Sequence, residues 1–234
     1  MELLPIAILA GGLGTRLRPI TERVPKALIP VAGRPFIEHQ LTLLRNAGIT
    51  RAVLCVGYLG ESIETRIGNG RAFGIDIAYS YDGAELIGTA GALKKAVPLL
   101  GERFFVIYGD SYLACDYADV ESAFLKSGKS ALMTVYENAG ALAPSNVLFR
   151  AGQIEAYDKR LSVAGMQHID FGLSAFHCRA LDNVPENRPS DLATVFQHLL
   201  ECGDLAAYEV TSRFYEVGTP EAVSELEHVL GRSS

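Results

Sequence analysis

Short apolar runs alternate with helical patterns through residues 1–136, and this alternation admits few folds. Residues 6–10 form an apolar run that stops at glycines, the pattern of a buried strand. Residues 35–47 carry Ile37, Leu41 and Leu44 at helical spacing, and Gly48 is a natural stop. Strands are expected at 52–58, 75–81, 104–108 and 131–136, with helices at 61–67, 91–99 and 120–126. Such strand–helix alternation predicts a parallel sheet covered on both faces. After Glu137 the pattern changes. Strands at 146–150, 153–157 and 168–177 follow with no helix between them, and Ala151-Gly152 supplies a tight turn. A helix at 191–202 and strands near 206–210 and 214–217 come next. Thr219 as N-cap, Pro220 at the first helical position and Glu221 in the first turn then mark a last helix. The expected fold is α/β: an open mixed sheet flanked by helices, with an antiparallel insertion in the second half. There is no repeat and no linker, so residues 1–234 are expected to form a single domain.

Composition narrows the partners. A net charge of −6 argues against a dedicated nucleic-acid binder, which needs a basic face. No apolar run reaches the roughly 18–20 residues of a membrane span. The N-terminus also lacks the basic stretch of a signal peptide. The four cysteines, Cys55, Cys115, Cys178 and Cys202, are far apart with no C-x-x-C pair, which fits reduced thiols rather than a disulfide or zinc framework. A cytoplasmic protein that binds neither membrane nor nucleic acid is expected.

The densest signal is Leu9-Ala10-Gly11-Gly12-Leu13-Gly14-Thr15-Arg16-Leu17-Arg18-Pro19, followed by Pro25-Lys26. Glycines after a buried strand let the backbone approach a ligand closely. Their successive N–H groups form an anion-binding concavity. Arg16, Arg18 and Lys26 add fixed positive charge beside it, at the carboxyl end of the first strand, where open α/β sheets bind ligands. Two familiar phosphate loops do not fit. There is no G-x-x-x-x-G-K-[ST], and the G-x-G-x-x-G spacing of dinucleotide folds is missing.

These residues resemble the signature of the sugar-1-phosphate nucleotidyltransferases. The resemblance runs through nearly the whole chain. Gly88-Thr89-Ala90-Gly91 is similar to the family's second nucleotide-contacting loop, and Gly109-Asp110 to its metal-binding Gly-Asp. Asp158-Lys159 resembles the acidic-Lys pair that meets the sugar phosphate, Gly172 the glycine beside the sugar ring, and Glu216-Val217-Gly218-Thr219 the closing Asp-x-Gly-Thr motif. The resemblance implies a Rossmann-like sheet. Residues 1–136 would hold the nucleotide and 137–218, with the antiparallel insertion, the sugar, with 219–234 as a C-terminal helix.

The implied reaction joins a nucleoside triphosphate to a sugar 1-phosphate and releases pyrophosphate. A phosphate with a second pKa near 6 is already largely ionised at pH 7, so no general base is needed. Positioning and charge neutralisation should dominate. The resemblance then implies these roles. Leu9, Ala10, Gly11, Gly12, Gly14, Thr15, Gly88 and Thr89 line the nucleotide site. Arg16 and Lys26 contact its phosphates. Lys159 holds the sugar phosphate, while Asn146, Asp170 and Gly172 meet the sugar. Mg²⁺ is held by Asp110 and Glu216. Position 216 departs from the family pattern, which has Asp there.

Glu85 reads as a solvated loop carboxylate. The five histidines form no cluster, and Tyr79, Tyr81 and Tyr108 serve the core or line the cleft. Two other readings stay open: a non-catalytic relative that binds a nucleotide sugar, and a glycosyltransferase, which usually carries a D-x-D motif absent here. The short length and the Gly-Asp-Ser-Tyr sequence resemble enzymes that use GTP with a mannose-type or heptose 1-phosphate. Uridylyl and thymidylyl transfer are the alternatives. With no hexapeptide-repeat tail, a monomer or simple homodimer is expected.

Overall fold

The computed structural model describes residues 2–138, 142–159, 164–186 and 188–231. In chain order the strands and helices are β1 (Ile6–Leu9), β2 (Pro30–Val31), β3 (Arg34–Pro35), α1 (Phe36–Asn46), β4 (Arg51–Val56), α2 (Gly60–Ile67), β5 (Asp76–Tyr81), α3 (Gly88–Leu100), β6 (Arg103–Tyr108) and β7 (Ser111–Tyr112). The second half adds α4 (Tyr117–Ser127), β8 (Ala131–Glu137), β9 (Val147–Arg150), β10 (Gln153–Tyr157), β11 (His168–His177), α5 (Leu192–Glu201), β12 (Leu205–Val210), β13 (Tyr215–Glu216) and α6 (Pro220–Gly231).

One mixed sheet organises the molecule, in the order β10-β9-β11-β6-β1-β4-β5, with β8 beside β11 and β12 beside β8. The pairs β6–β1, β1–β4 and β4–β5 are parallel. β11 runs antiparallel to both β6 and β8, and β9–β10 is an antiparallel hairpin. The α/β mixed sheet expected from the pattern is therefore present. β1 shows why its sequence is apolar throughout. Ile6 and Ile8 face a core with α1, α2 and α4, and Ala7 faces a second core with α3 and α5. A strand buried on both faces cannot alternate with polar residues. A third, smaller cluster packs Leu17, Ile29, Val31 and Phe36 against Val217 and Leu226, pinning the segment after the glycine loop to α6.

Four differences from the sequence reading have physical causes. The third helix begins at Gly88 rather than 91, so Gly88-Thr89 form its first turn and not a loop. Lys26 sits in a short 3₁₀ turn, Lys26–Leu28, too brief for any periodicity to reveal. β13 is only two residues long and pairs with the equally short β7, its one strand partner among the described residues. β12 joins β8 in parallel, a pairing that the sequence pattern left undefined because the partner strand is remote in the chain. At α6, Thr219 Oγ1 accepts from Ala222 N at 3.3 Å, as the cap signal implies. Residues 232–234 of that expected helix lie outside the described residues. No helix among the described residues is long and apolar enough to cross a membrane.

Candidate active site

A cleft of about 330 Å³ opens at the carboxyl ends of β1 and β6. Leu9, Ala10, Gly11, Gly12, Gly14, Thr15, Arg16, Lys26, Gly88, Thr89 and Asp110 all line it. The close meeting of strand ends explains two glycines. A Cβ on Gly109 would lie 2.9 Å from Ala10 Cβ, and one on Gly11 would lie 3.1 Å from Gly57 N. Gly14 takes φ +59°, and its carbonyl accepts from Leu17 N at 3.0 Å and Thr21 Oγ1 at 2.8 Å. The chain is thereby turned so that the Arg16 guanidinium lies over the open face of Gly218.

Lys26 and Asp110, 84 residues apart in sequence, form an ion pair and hydrogen bond across the cleft. Glu216 arrives through the β7–β13 ladder, in register with Ser111, and Val217 N donates to the Asp110 carbonyl at 2.8 Å. The two carboxylates predicted to share a metal are thus brought side by side, Glu216 on β13 and Asp110 in the turn just before β7. The Glu216 side chain reaches solvent, but the protein around it removes part of its hydration and so raises the carboxyl above its usual pKa; the neighbouring Asp110 pushes it further, while Lys26 and Arg16 pull it back. Among the described residues, no group of three or more His, Cys, Asp or Glu is placed to hold a metal. What the protein offers is a pair of carboxylates. That suits a hard cation whose other ligands are phosphate oxygens and water.

The lining of the cleft includes a residue that the motifs did not mark. Asp82 lies just beyond β5, and its Oδ2 would be 3.3 Å from a Cβ on Gly11 and 3.0 Å from one on Gly57. Burial raises its pKa, opposed by a backbone hydrogen bond from Ile87 and by Lys95. Glu85 is exposed and outside the cleft lining, as expected.

Thr89 lines the cleft, but its Oγ1 accepts from Leu192 N at 2.8 Å, which ties α3 to the start of α5. Gly88 is required there because a Cβ would sit 2.4 Å from the carbonyl oxygen of Ser190. Part of this second motif is therefore packing.

The predicted sugar residues gather beside the cleft rather than in its lining, with Tyr108 as the junction. Lys159 Nζ is 3.4 Å from the Tyr108 hydroxyl and 3.8 Å from Asp191 Oδ1. Asp170 accepts from Gly172 N at 3.0 Å, and the Tyr157 hydroxyl donates to it at 3.4 Å. Burial raises the Asp170 pKa, against the lowering effect of Lys159. Gly172 needs its φ of +96° where the β11–β8 register shifts between Asp170 and Ser174. Asn146 is less free than its position implied, since its Oδ1 accepts from Asp170 N at 2.9 Å. Tyr157 and Asp191 carried no sequence signal. They come together here only because α5 and β10 pack on one another.

The comparisons with known proteins bear on this arrangement. A family model described as nucleotidyl transferase matches residues 6–143, more than half the chain. The chain belongs to that family. It is 32% identical over 228 residues to an N-acetylmuramate alpha-1-phosphate uridylyltransferase of Neisseria meningitidis, covering 96% of this chain and 97% of the relative. It is 30% identical over 220 residues to the mannose-1-phosphate guanyltransferase beta-A of Xenopus laevis, covering 92% of this chain and 61% of that longer protein. HddC from Yersinia pseudotuberculosis, a solved structure, superposes with a TM-score of 0.79 at 22% identity, over 97% of this chain and all of that one. At that identity the likeness shows the fold alone. The chain is thus an enzyme of the sugar-1-phosphate nucleotidyltransferases, as the motif order implied.

Proposed function

We propose that this nucleotidyltransferase joins GTP to a mannose-type or heptose 1-phosphate, giving a nucleotide sugar and pyrophosphate. The observation that carries the reaction is a single cleft with the glycine loop, Arg16 and Lys26 on one wall and Asp110, with Glu216 beside it, on the other. Residues 1–136 hold the nucleotide and 137–218 the sugar.

The chain's own groups then have distinct tasks. Backbone N–H groups of Gly11, Gly12 and Gly14 cradle phosphate oxygens. Arg16 and Lys26 hold the departing pyrophosphate, whose charge grows as the bond to the α-phosphorus breaks. Lys159, steadied by Tyr108 and Asp191, holds the sugar phosphate as a point charge. Asp170 and Gly172 meet the sugar, with Asn146 supporting Asp170 from behind. Asp110 and Glu216 hold Mg²⁺, which when bound supplies neutralisation of phosphate charge. Two anions must approach each other, so most of the rate comes from bringing them together in line between fixed cations.

Asp82 supports the choice of base. A carboxylate only accepts hydrogen bonds. Guanine offers two neighbouring donors, N1–H and the N2 amino group, to such a pair of oxygens. Uracil and thymine present a single N–H between two carbonyls, which a carboxylate repels. The second reading, uridylyl transfer, is favoured by the meningococcal relative that matches this chain from end to end.

The test is pyrophosphate release from GTP, UTP, dTTP and CTP against mannose, heptose, glucose and N-acetylmuramate 1-phosphates, with Mg²⁺. GTP should give the highest kcat/KM, and Asp82→Asn should cut the preference for GTP over UTP at least tenfold. UTP as the best substrate would replace the first reading by the second. No release from any pair would end the proposal.

A further inference from the structure

Gln40 is the side chain whose chemistry the reaction above leaves unused. It lies in α1 and is 1% exposed. Its Nε2 donates to two backbone carbonyls, Tyr108 O at 2.9 Å and Ser111 O at 2.7 Å. Those carbonyls bracket Gly109-Asp110. One amide group therefore clamps both ends of the turn that presents the Asp110 carboxylate. The two acceptors also fix the amide's orientation, because turning it over would set Oε1 against two carbonyl oxygens. In this orientation Oε1 has no protein partner, and it is the one such buried side-chain atom among the described residues.

That orphan oxygen is informative. A buried polar atom left without a hydrogen bond opposes folding, and native proteins keep very few. Of the other buried residues of this helix, Phe36, Ile37, Leu41 and Leu44 are apolar, and Glu38 is paired with Arg34 and Arg66. Stability alone would favour another apolar residue at position 40. The carboxylate it serves is also unusually dependent on such a clamp. Asp110 leaves the sheet just after β6, beyond the last residues paired with β1 and β11. It is held by Gly109 N to Leu9 O at 2.9 Å, by Val217 N to its own carbonyl at 2.8 Å, and by its ion pair with Lys26. The first two bonds tie the turn to β1 and to the segment after β13. Gln40 fixes the edge facing α1.

We propose that Gln40 is a positioning residue for the reaction: its carboxamide holds the 108–111 turn so that Asp110 meets the metal and triphosphate in a fixed geometry. The inference rests on the reading of Asp110 as a metal ligand. Carboxylate–metal distances tolerate errors of about 0.2 Å, so a small relaxation of this turn costs metal affinity before it costs the fold. The substrate-binding groups Arg16, Lys159 and Asp170 sit on other segments, and Lys159 touches the clamped turn only through the Tyr108 hydroxyl, at 3.4 Å.

The experiment compares wild type with Gln40→Met, which keeps bulk and removes both donors, and Gln40→His, which keeps one ring donor. Three quantities are measured: kcat and KM for nucleotide and sugar phosphate, the Mg²⁺ concentration for half-maximal rate, and the rise in Tm produced by Mg²⁺ with a non-hydrolysable nucleoside triphosphate. Gln40→Met should lower kcat at least tenfold and raise the half-maximal Mg²⁺ concentration several-fold, with both KM values within about twofold at saturating metal. Its metal-dependent rise in Tm should shrink. Gln40→His should recover part of each loss. If Gln40→Met fails to fold, the same comparison is made with Gln40→His against wild type. A folded variant with unchanged kcat, unchanged metal dependence and an unchanged rise in Tm overturns the assignment. So does a loss confined to the melting temperature. If wild type itself shows no metal-dependent pyrophosphate release, the reading of Asp110 falls, and the role of Gln40 falls with it.

Discussion

Replacing Gly88 by Ala is the most quantitative test of how the cleft is built. Gly88 has φ +74°, and a Cβ there would lie 2.4 Å from Ser190 O, 2.9 Å from Ser190 N and 3.0 Å from Ser190 C. The left-handed conformation alone costs an alanine roughly 1–2 kcal/mol. The clash is worse, because the offending atoms are backbone and cannot rotate away. Ser190 is bonded on both sides, with its N–H to Ile87 O and its carbonyl from Ala90 N, each at 2.9 Å. Pushing it outward weakens both bonds, at about 0.5–1.5 kcal/mol each, for a total of about 2–5 kcal/mol with the backbone strain. In a domain of this size that corresponds to a fall in Tm of roughly 5–15 °C. Thermal and urea unfolding read it directly, and nucleotide binding by the folded fraction should weaken too, since Thr89 loses its anchor on Leu192. Since the contact is with backbone, no substitution at Ser190 should restore stability. A Tm within 2 °C of wild type, or rescue by Ser190→Gly, would refute the packing of α3 against the 188–192 segment.

Three further outcomes are expected. Arg16→Ala and Lys26→Ala should each lower turnover by roughly 10²–10³-fold, as for loss of a donor to developing transition-state charge, with melting curves little changed; near-normal turnover of either would remove it from the phosphate path. Glu216→Gln should raise the half-maximal Mg²⁺ concentration and lower kcat about tenfold, close to 1.4 kcal/mol. Because the Glu216 pKa is raised, its protonation should add to the fall of wild-type activity on the acid side, and the Gln variant should keep only the limb set by ionisation of the sugar phosphate near pH 6. Asp170→Asn should raise the KM for sugar phosphate and yet stabilise the protein at pH 7. A carboxyl whose folded pKa is raised contributes stability fully below its unfolded pKa, near 3.9, and loses it as pH rises through the folded value. At neutral pH the ionised Asp170 is therefore a burden that Asn removes, so the gain in Tm should vanish near pH 3; a lower Tm at pH 7 would contradict this.

The first half of the chain was readable because its information is local. The strands expected at residues 6–10, 52–58 and 104–108 announce themselves as apolar runs, since burial on both faces leaves few polar positions inside them. The glycine loop declares itself because the backbone must approach an anion. The order of six short motifs was enough to reach the family. Glu85 could be set aside from its polar loop context alone.

What only the tertiary structure decided lies in contacts between residues remote in sequence. Lys26 and Asp110 are 84 positions apart, Gln40 and Ser111 are 71, and Thr89 and Leu192 are 103. No period or spacing encodes such a pair, because even a motif marks each partner only on its own segment. Asp82 is one acidic residue in a loop until the ends of β1 and β4 close around its carboxylate. Thr89 and Asn146 have the side chains of ligand-binding residues, but packing commits their oxygens to backbone N–H groups. Local sequence specifies which elements form, through burial and hydrogen bonding within a few turns. Which side chains face one another is fixed when those elements share a sheet, and only then do solvent exclusion and proximity give each group its chemistry.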